Sequence, residues 1–151
     1  MSNISKTNDL EYEDLVSDAK FLEWNRDNIF CNLIQAEYHL GELGSDFAGR
    51  AEFLTCVTKH LAYVEGESAE AVSHSLMVEG TAKSQEYARI RDEARSLRKK
   101  IQRSEISTED GIRNVRRIRH IFEKLNPLYD TDQCEACGRD DKNCVPSGNN
   151  R

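Results

Sequence analysis

The sequence predicts an all-α fold, a bundle of three to four helices in long antiparallel hairpins with flexible N- and C-terminal tails. Apolar residues recur at helical spacing in four segments, and no segment of convincing length alternates polar and apolar residues as a strand does. Residues that interrupt helices are scarce, since the 151 residues include 8 Gly and 2 Pro, with both prolines among the last 25 positions. A turn-rich all-β fold is therefore excluded.

The first predicted helix follows a polar segment, residues 1–9, which lacks apolar anchors and is predicted to be a flexible tail. Over residues 10–40 the apolar side chains form one helical stripe. Arg26 takes one step of that stripe within a run poor in helix formers, so we expect a kink or break there. Gly41 and Gly44 then predict the end of the helix.

The second predicted helix begins after an N-cap at Ser45 or Asp46. Its apolar stripe weakens beyond Val64, and two glycines, Gly66 and Gly80, interrupt the stretch. Because each glycine costs about 1 kcal/mol inside a helix, we expect a break at one of them.

The third and fourth predicted helices carry the clearest patterns. The third covers residues 82–101, and its apolar residues alternate in spacing as in a coiled coil. The fourth opens with a capping-box-like sequence at Ser107 and ends before Pro127. The bundle is therefore predicted to occupy residues 10–126, and residues 127–151 form a polar tail that contains cysteines.

Charge is strongly segregated along the chain. Residues 1–88 carry 6 Lys and Arg against 16 Asp and Glu, whereas residues 89–120 carry 11 against 5, in a chain of net charge −6. One interpretation is that acidic and basic helices pack antiparallel and neutralise each other. The other is that the basic block forms a surface that attracts a polyanion.

The basic block supplies the principal hypothesis for function. Arginine predominates in it, and the planar guanidinium suits phosphate. The residues predicted to bind nucleic acid are Arg91, Arg95, Arg98, Lys99, Arg113, Arg116, Arg117 and Lys124. Few aromatic residues are interleaved with them, so the sequence gives little support for stacking of single-stranded bases. We therefore expect a non-enzymatic accessory protein that binds DNA or RNA through the helical hairpin of residues 89–124.

The acidic N-terminal helices predict a different function, an oligomeric adaptor for protein interaction or assembly that docks a basic protein partner. Because the helices are long and their apolar stripes narrow, we expect a homo-oligomer. Exposure decides between the two hypotheses. A continuous exposed basic face favours nucleic acid, and internal neutralisation favours the adaptor.

A third hypothesis comes from Arg113, Asn114 and His120, which have the form Arg-x6-His. This pattern resembles the nuclease motif of HEPN-type ribonucleases, small helical bundles in which an Arg and a His are separated by four to six residues. The resemblance covers eight residues. It implies that Arg113 stabilises a phosphate and that His120 acts as general acid or base.

The C-terminal tail offers metal ligands. Cys134, Cys137 and Cys144 are candidate zinc ligands, because two thiolates two residues apart with glycine after the second suit a zinc knuckle. A fourth ligand would come from His120, an aspartate of the tail or another chain. The alternatives are a reduced tail without metal and a redox role. Cys31 and Cys56 fall within predicted helices and are interpreted as small core residues.

Targeting features are absent from the sequence. No run of 18 apolar residues occurs, so no membrane segment is expected. The N-terminus has no basic region followed by an apolar stretch, as a secretory signal would. These observations predict a cytoplasmic protein.

Overall fold

The computed structural model describes the backbone of residues 2–43 and 51–129 and the side chains of residues 17–42 and 54–129. Within these ranges the chain forms four α-helices and no strand, which confirms the predicted all-α fold. The helices are α1 (Ser2–Leu43), α2 (Ala51–Val78), α3 (Thr81–Gln102) and α4 (Thr108–Leu125). α1 neighbours α2 and α4, and α3 also neighbours α2 and α4, so the four helices close into one bundle.

α1 runs without interruption through the region where a kink or break is predicted. The reason lies in the neighbouring helix, because Asn25 and Asn28 donate hydrogen bonds to the Glu67 carboxylate of α2 at 3.1 and 3.0 Å. These residues are weak helix formers, but tertiary partners outweigh that intrinsic preference. α1 also covers most of residues 1–9. The predicted N-cap at Ser45 or Asp46 lies outside the described residues.

The break between α2 and α3 occurs at Gly80, while α2 continues through Gly66. Gly80 has a φ of +102°, a conformation that residues with a Cβ rarely adopt. The N–H groups of Glu79 and Gly80 both donate to the Ser75 carbonyl, at 2.7 and 2.9 Å, and so close the helix end. The predicted break is therefore confirmed at the second of the two glycines.

The start of α4 is also confirmed. Ser107 is its N-cap, and the Ser107 hydroxyl accepts a hydrogen bond from the Asp110 N–H at 3.1 Å. This bond satisfies one of the amide groups that every helix leaves without an internal partner at its first turn. The chain turns from α3 into α4 over only a few residues, which makes the two helices a hairpin.

The core lies between the four apolar stripes. Its largest fully buried side chains include Phe30 on α1, Tyr87 on α3 and Phe122 on α4. Phe30 stacks on Phe122 with ring centroids 5.7 Å apart, and Tyr129 packs edge-on against both rings. Burying each such side chain contributes about 1.5–3 kcal/mol. Core packing thus continues to Tyr129, three residues past the predicted end of the bundle. None of the helices, over the residues described, is apolar for long enough to cross a bilayer.

Candidate nucleic-acid interface

The two faces of α4 differ completely in exposure. Its inward face buries Val115, Ile118 and Phe122, each at most 1% exposed. On its outward face, the side chains of Arg113, Arg116 and Arg117 are 73%, 63% and 62% exposed. The arginines predicted to contact nucleic acid on this helix therefore lie at the surface. They form what we call the α4 arginine face.

Ion pairs tie α4 to the acidic helix α1. Glu37 accepts hydrogen bonds from Arg116 Nε at 3.0 Å and from Arg119 Nη1 at 2.8 Å. Arg119 also lies 3.8 Å from Glu123, one turn along its own helix. One carboxylate of α1 thus holds two guanidinium groups of α4.

The same arrangement links α3 to α2. Glu65 accepts from Arg95 Nε at 2.7 Å and from Arg98 Nη2 at 3.0 Å. Burial alone would raise the pKa of Glu65, but the hydrogen bonds from the two guanidinium groups outweigh it and hold this pKa below its usual value. Glu65 therefore stays ionised beneath the two arginines.

Four further arginines pair within the α3–α4 hairpin. Glu93 on α3 binds Arg117 of α4 at 2.9 Å and Arg89 of its own helix at 3.1 Å. Two further pairs lie within single helices, Arg113 with Asp110 and Arg91 with Asp92, both at 2.9 Å. Lys99 and Lys124 are exposed and form no ion pair with any described residue. Six of the eight residues predicted to bind nucleic acid thus have a carboxylate partner.

The carboxylates that bind two arginines each are less exposed to solvent than the arginines themselves. The Glu37, Glu65 and Glu93 side chains are 18%, 15% and 20% exposed. Arg116, a partner of Glu37, and Arg117, a partner of Glu93, are about three times as exposed, at 63% and 62%. Arg98 and Arg119 lie deeper, at 22% and 26%. Partial neutralisation and exposure of the basic groups therefore occur together, a combination that the two sequence hypotheses treat as alternatives.

A small polar pocket of about 140 Å³ lies on the seam between α3 and α4. Lys100, Asn114 and Arg117 line it, together with Glu93, Ser96 and Leu97. Lys100 and Ser96 were not among the predicted binding residues. Their place beside Arg117 follows from the antiparallel register of the hairpin, which composition and periodicity do not reveal. The pocket places two cationic groups and an amide within one small volume.

The Arg113 and His120 side chains lie on the same exposed face of α4. They are seven positions apart in the sequence, which corresponds to about 10 Å along the helix axis. Within one chain they are therefore almost two turns apart. The HEPN-like ribonuclease activity stays a prediction.

The predicted zinc ligands Cys134, Cys137 and Cys144 lie outside the described residues. In the part of the chain that the structure describes, no group of three or more His, Cys, Asp and Glu side chains is arranged to hold a metal ion. Cys56 is buried in the core, as expected. Cys31 is partly buried and packs against the same core.

Comparison with known proteins identifies no relative of this chain. No protein-family model matches the chain. No curated protein and no solved structure shows significant similarity to it. Its function therefore has to follow from the geometry of its own side chains.

Proposed function

We propose that this chain is a non-enzymatic accessory protein that binds DNA or RNA, with the α3–α4 hairpin against the phosphate backbone. The observation that carries the proposal is the exposure of Arg113, Arg116 and Arg117, which keep 73%, 63% and 62% of their side chains accessible. Guanidinium groups at such positions reach phosphate oxygens without any change of fold.

The carboxylate partners do not remove this capacity. Ion pairs between exposed side chains contribute only about 0–1 kcal/mol, so a phosphate can exchange with a carboxylate at little cost. Arg116 binds Glu37 through Nε, and its terminal nitrogens have no hydrogen bond with another described residue. The hydrogen bond from Nε to Glu37 orients the Arg116 side chain, and its terminal nitrogens remain available to a ligand.

Further basic side chains extend the surface. Within residues 89–124, four exposed ones have no ion-pair partner among the described residues, and these are Lys99, Lys100, Arg103 and Lys124. Each can neutralise a phosphate without giving up an internal contact. Binding through such groups releases counterions, so affinity should fall steeply with salt and depend little on sequence.

The test replaces Arg113, Arg116 and Arg117 together by glutamine and measures affinity for DNA and RNA oligonucleotides over a range of salt. We expect affinity to fall for all sequences alike, with a salt slope smaller by roughly one unit per lost phosphate contact. The control removes three exposed basic residues elsewhere, Lys20, Lys59 and Lys83, by the same substitution. This control has the same net charge as the triple arginine variant, but it should bind like the wild type.

Three outcomes would contradict the proposal. If the wild-type protein shows no salt-dependent binding at low ionic strength, the adaptor hypothesis replaces it. If the triple variant binds as the wild type does, the α4 arginine face is not the interface. If the protein cleaves RNA and His120→Ala abolishes cleavage but not binding, the HEPN-like ribonuclease hypothesis replaces the non-enzymatic one.

A second candidate function, an oligomeric adaptor for protein interaction, is favoured by an exposed apolar patch. Phe21 and Trp24 of α1 are 47% and 63% exposed, and Met77 of α2 is 58% exposed. Phe21 stacks on His74 with ring centroids 5.3 Å apart, and Met77 follows His74 by three residues. The patch therefore spans both acidic helices. Contiguous exposed apolar surface of this kind is typical of protein interfaces. Sedimentation of the wild type against Trp24→Ser tests for a homo-oligomer or a bound protein partner.

Zinc binding by Cys134, Cys137 and Cys144 also stays a prediction, which metal analysis of the reduced protein tests. Because these cysteines follow the last apolar stripe in the sequence, we expect chelation to leave the helices folded. A cytoplasmic location likewise stays a prediction from the sequence.

A further inference from the structure

A groove of about 400 Å³ lies between the C-terminal half of α1 and the N-terminal half of α4. Ile34 and Ile112 give it an apolar lining, and Tyr38 and Arg116 line it as well. A Cβ built on Gly41 would meet no atom within 4 Å, so open space continues past this residue. The volume lies within the range of small-molecule sites, about 300–1,000 Å³.

Tyr38 brings an aromatic ring to this groove. Its side chain is 49% exposed, and its ring packs edge-on against the buried imidazole of His39, with centroids 5.4 Å apart. The ring is therefore supported from the protein side and accessible from the groove. Exposed aromatic rings next to basic side chains are the usual platforms for stacking of unpaired bases.

Arg116 and Arg119 supply cationic groups at the same groove, and Glu37 holds both. Arg116 uses only Nε for Glu37, so its terminal nitrogens can reach a phosphate next to a stacked base. The groove also contains the exposed carboxylate of Glu42, a hydrogen-bond acceptor for the exocyclic amine of a base.

Tyr38 and Arg116 are 78 positions apart in the sequence and meet only because α1 packs on α4. We propose that this groove binds an unpaired nucleobase and its neighbouring phosphate, so that the protein prefers single-stranded over double-stranded nucleic acid. The inference rests on the proposed nucleic-acid binding and names the ligand class at the α1–α4 edge of that interface. Bases within a duplex are already stacked and paired, so the groove offers them no such contact.

The experiment compares Tyr38→Ala with the wild type, using a mixed-sequence single-stranded oligonucleotide and the duplex of the same length. Removing a stacking ring typically costs 1–3 kcal/mol per base, so single-strand affinity should fall about 5- to 150-fold. Duplex affinity should stay unchanged. Tyr38→Phe keeps the ring and should bind like the wild type. Tyr63→Ala removes a tyrosine of matched exposure, 51%, on α2 and outside the groove, and it should also bind like the wild type.

The failures of the two proposals are distinguishable. If Tyr38→Ala keeps wild-type single-strand affinity, or loses single-strand and duplex affinity equally, the groove inference is overturned. In that case, salt-dependent binding by the wild type still supports the proposed function. If the wild type binds neither oligonucleotide at low salt, both proposals fail. A thermal unfolding curve confirms that Tyr38→Ala is folded, which is expected because half of the side chain is exposed.

Discussion

The α1–α2 interface and the α3–α4 surface both contain many polar side chains, but they use them in opposite ways. At the α1–α2 interface, Asn25 and His60 are 2% and 5% exposed and bind partners on the facing helix. On the α3–α4 surface, Arg116 and Arg117 bind carboxylates yet remain 63% and 62% exposed. Buried polar contacts fix how two helices pair, because leaving them unmade is costly. Exposed contacts of the same chemistry leave the basic groups available to a ligand.

The α1–α2 contacts form a ladder along the two helices. His60 Nδ1 binds Asn32 Oδ1 at 2.7 Å, the Asn25 amide reaches Glu67 at 3.1 Å, and His74 Nδ1 binds Asp18 at 2.7 Å. A shift of α1 by one turn would separate these partners and break the hydrogen bonds of Asn25 and His60. The ladder therefore specifies the register of the pair in a way that apolar contacts alone do not.

The comparison implies that α4 is held by its apolar face and not by its arginines. Phe122→Ala should give the largest loss, about 3–5 kcal/mol of unfolding free energy, because Phe122 is fully buried and stacked on Phe30. Chemical denaturation checks this value. Leu128→Ala is the control, since Leu128 is 88% exposed and its removal should leave stability unchanged. Equal losses in the two variants would contradict the assigned packing.

The second prediction concerns pH and the α1–α2 interface. Burial, and then the charges of His39 and Lys59, lower the pKa of His60 from 6.5 to about 4. The unfolded chain therefore binds a proton at His60 below pH 6.5, whereas the folded chain binds it only near pH 4. Stability should fall as the pH drops through this window, by about 2 kcal/mol between pH 7 and pH 5.

His60→Gln provides the control for this pH dependence. The amide keeps a hydrogen-bonding group near Asn32 but does not titrate. We expect the variant to be less stable at pH 7 and to lose less of its remaining stability between pH 7 and pH 5. The carboxylates stay mostly ionised over that range, so they do not obscure the difference. Parallel decreases in the variant and the wild type would show that His60 is not the responsible group.

The smallest effect is expected on the α3–α4 surface. Replacing Arg113, Arg116 and Arg117 by glutamine should change the unfolding free energy by no more than about 0.5 kcal/mol, since the side chains are mostly exposed. The same variant is expected to lose nucleic-acid affinity, which separates binding from stability. A large destabilisation would mean that Glu37 and Glu93 need these partners to remain in place, and the contrast between the two regions would not hold.

The features that the sequence predicted correctly are local ones. Ser107 at the start of α4 and Gly80 between α2 and α3 are encoded by a side-chain cap and a backbone conformation within a few residues. The division of α4 into an apolar side and a basic side follows equally from 3.6-residue periodicity, whereas the exposure of the basic side was left open by the sequence. These features require no knowledge of the other helices.

The features that the sequence did not predict depend on contacts between helices. The break expected near Arg26 does not occur, because Glu67 of α2 accepts hydrogen bonds from the asparagines on either side of it. Tyr38 and Arg116 line the same groove because of the relative position of α1 and α4 along their axes, which no local pattern determines. Glu37 and Glu65 each bind two arginines of a neighbouring helix, and these contacts also depend on how the helices pack.

The lengths of the connections have a consequence for the order in which the chain assembles. Two residues join α2 to α3, whereas the ion pairs of Glu37 close loops of 79 and 82 residues. Closing a short loop loses little chain entropy, so the α2–α3 hairpin can form early, and α1 with α4 can add to it later. The edge where α1 meets α4 is then expected to close last. A ligand that bridges these two helices would therefore stabilise the contact that completes the bundle.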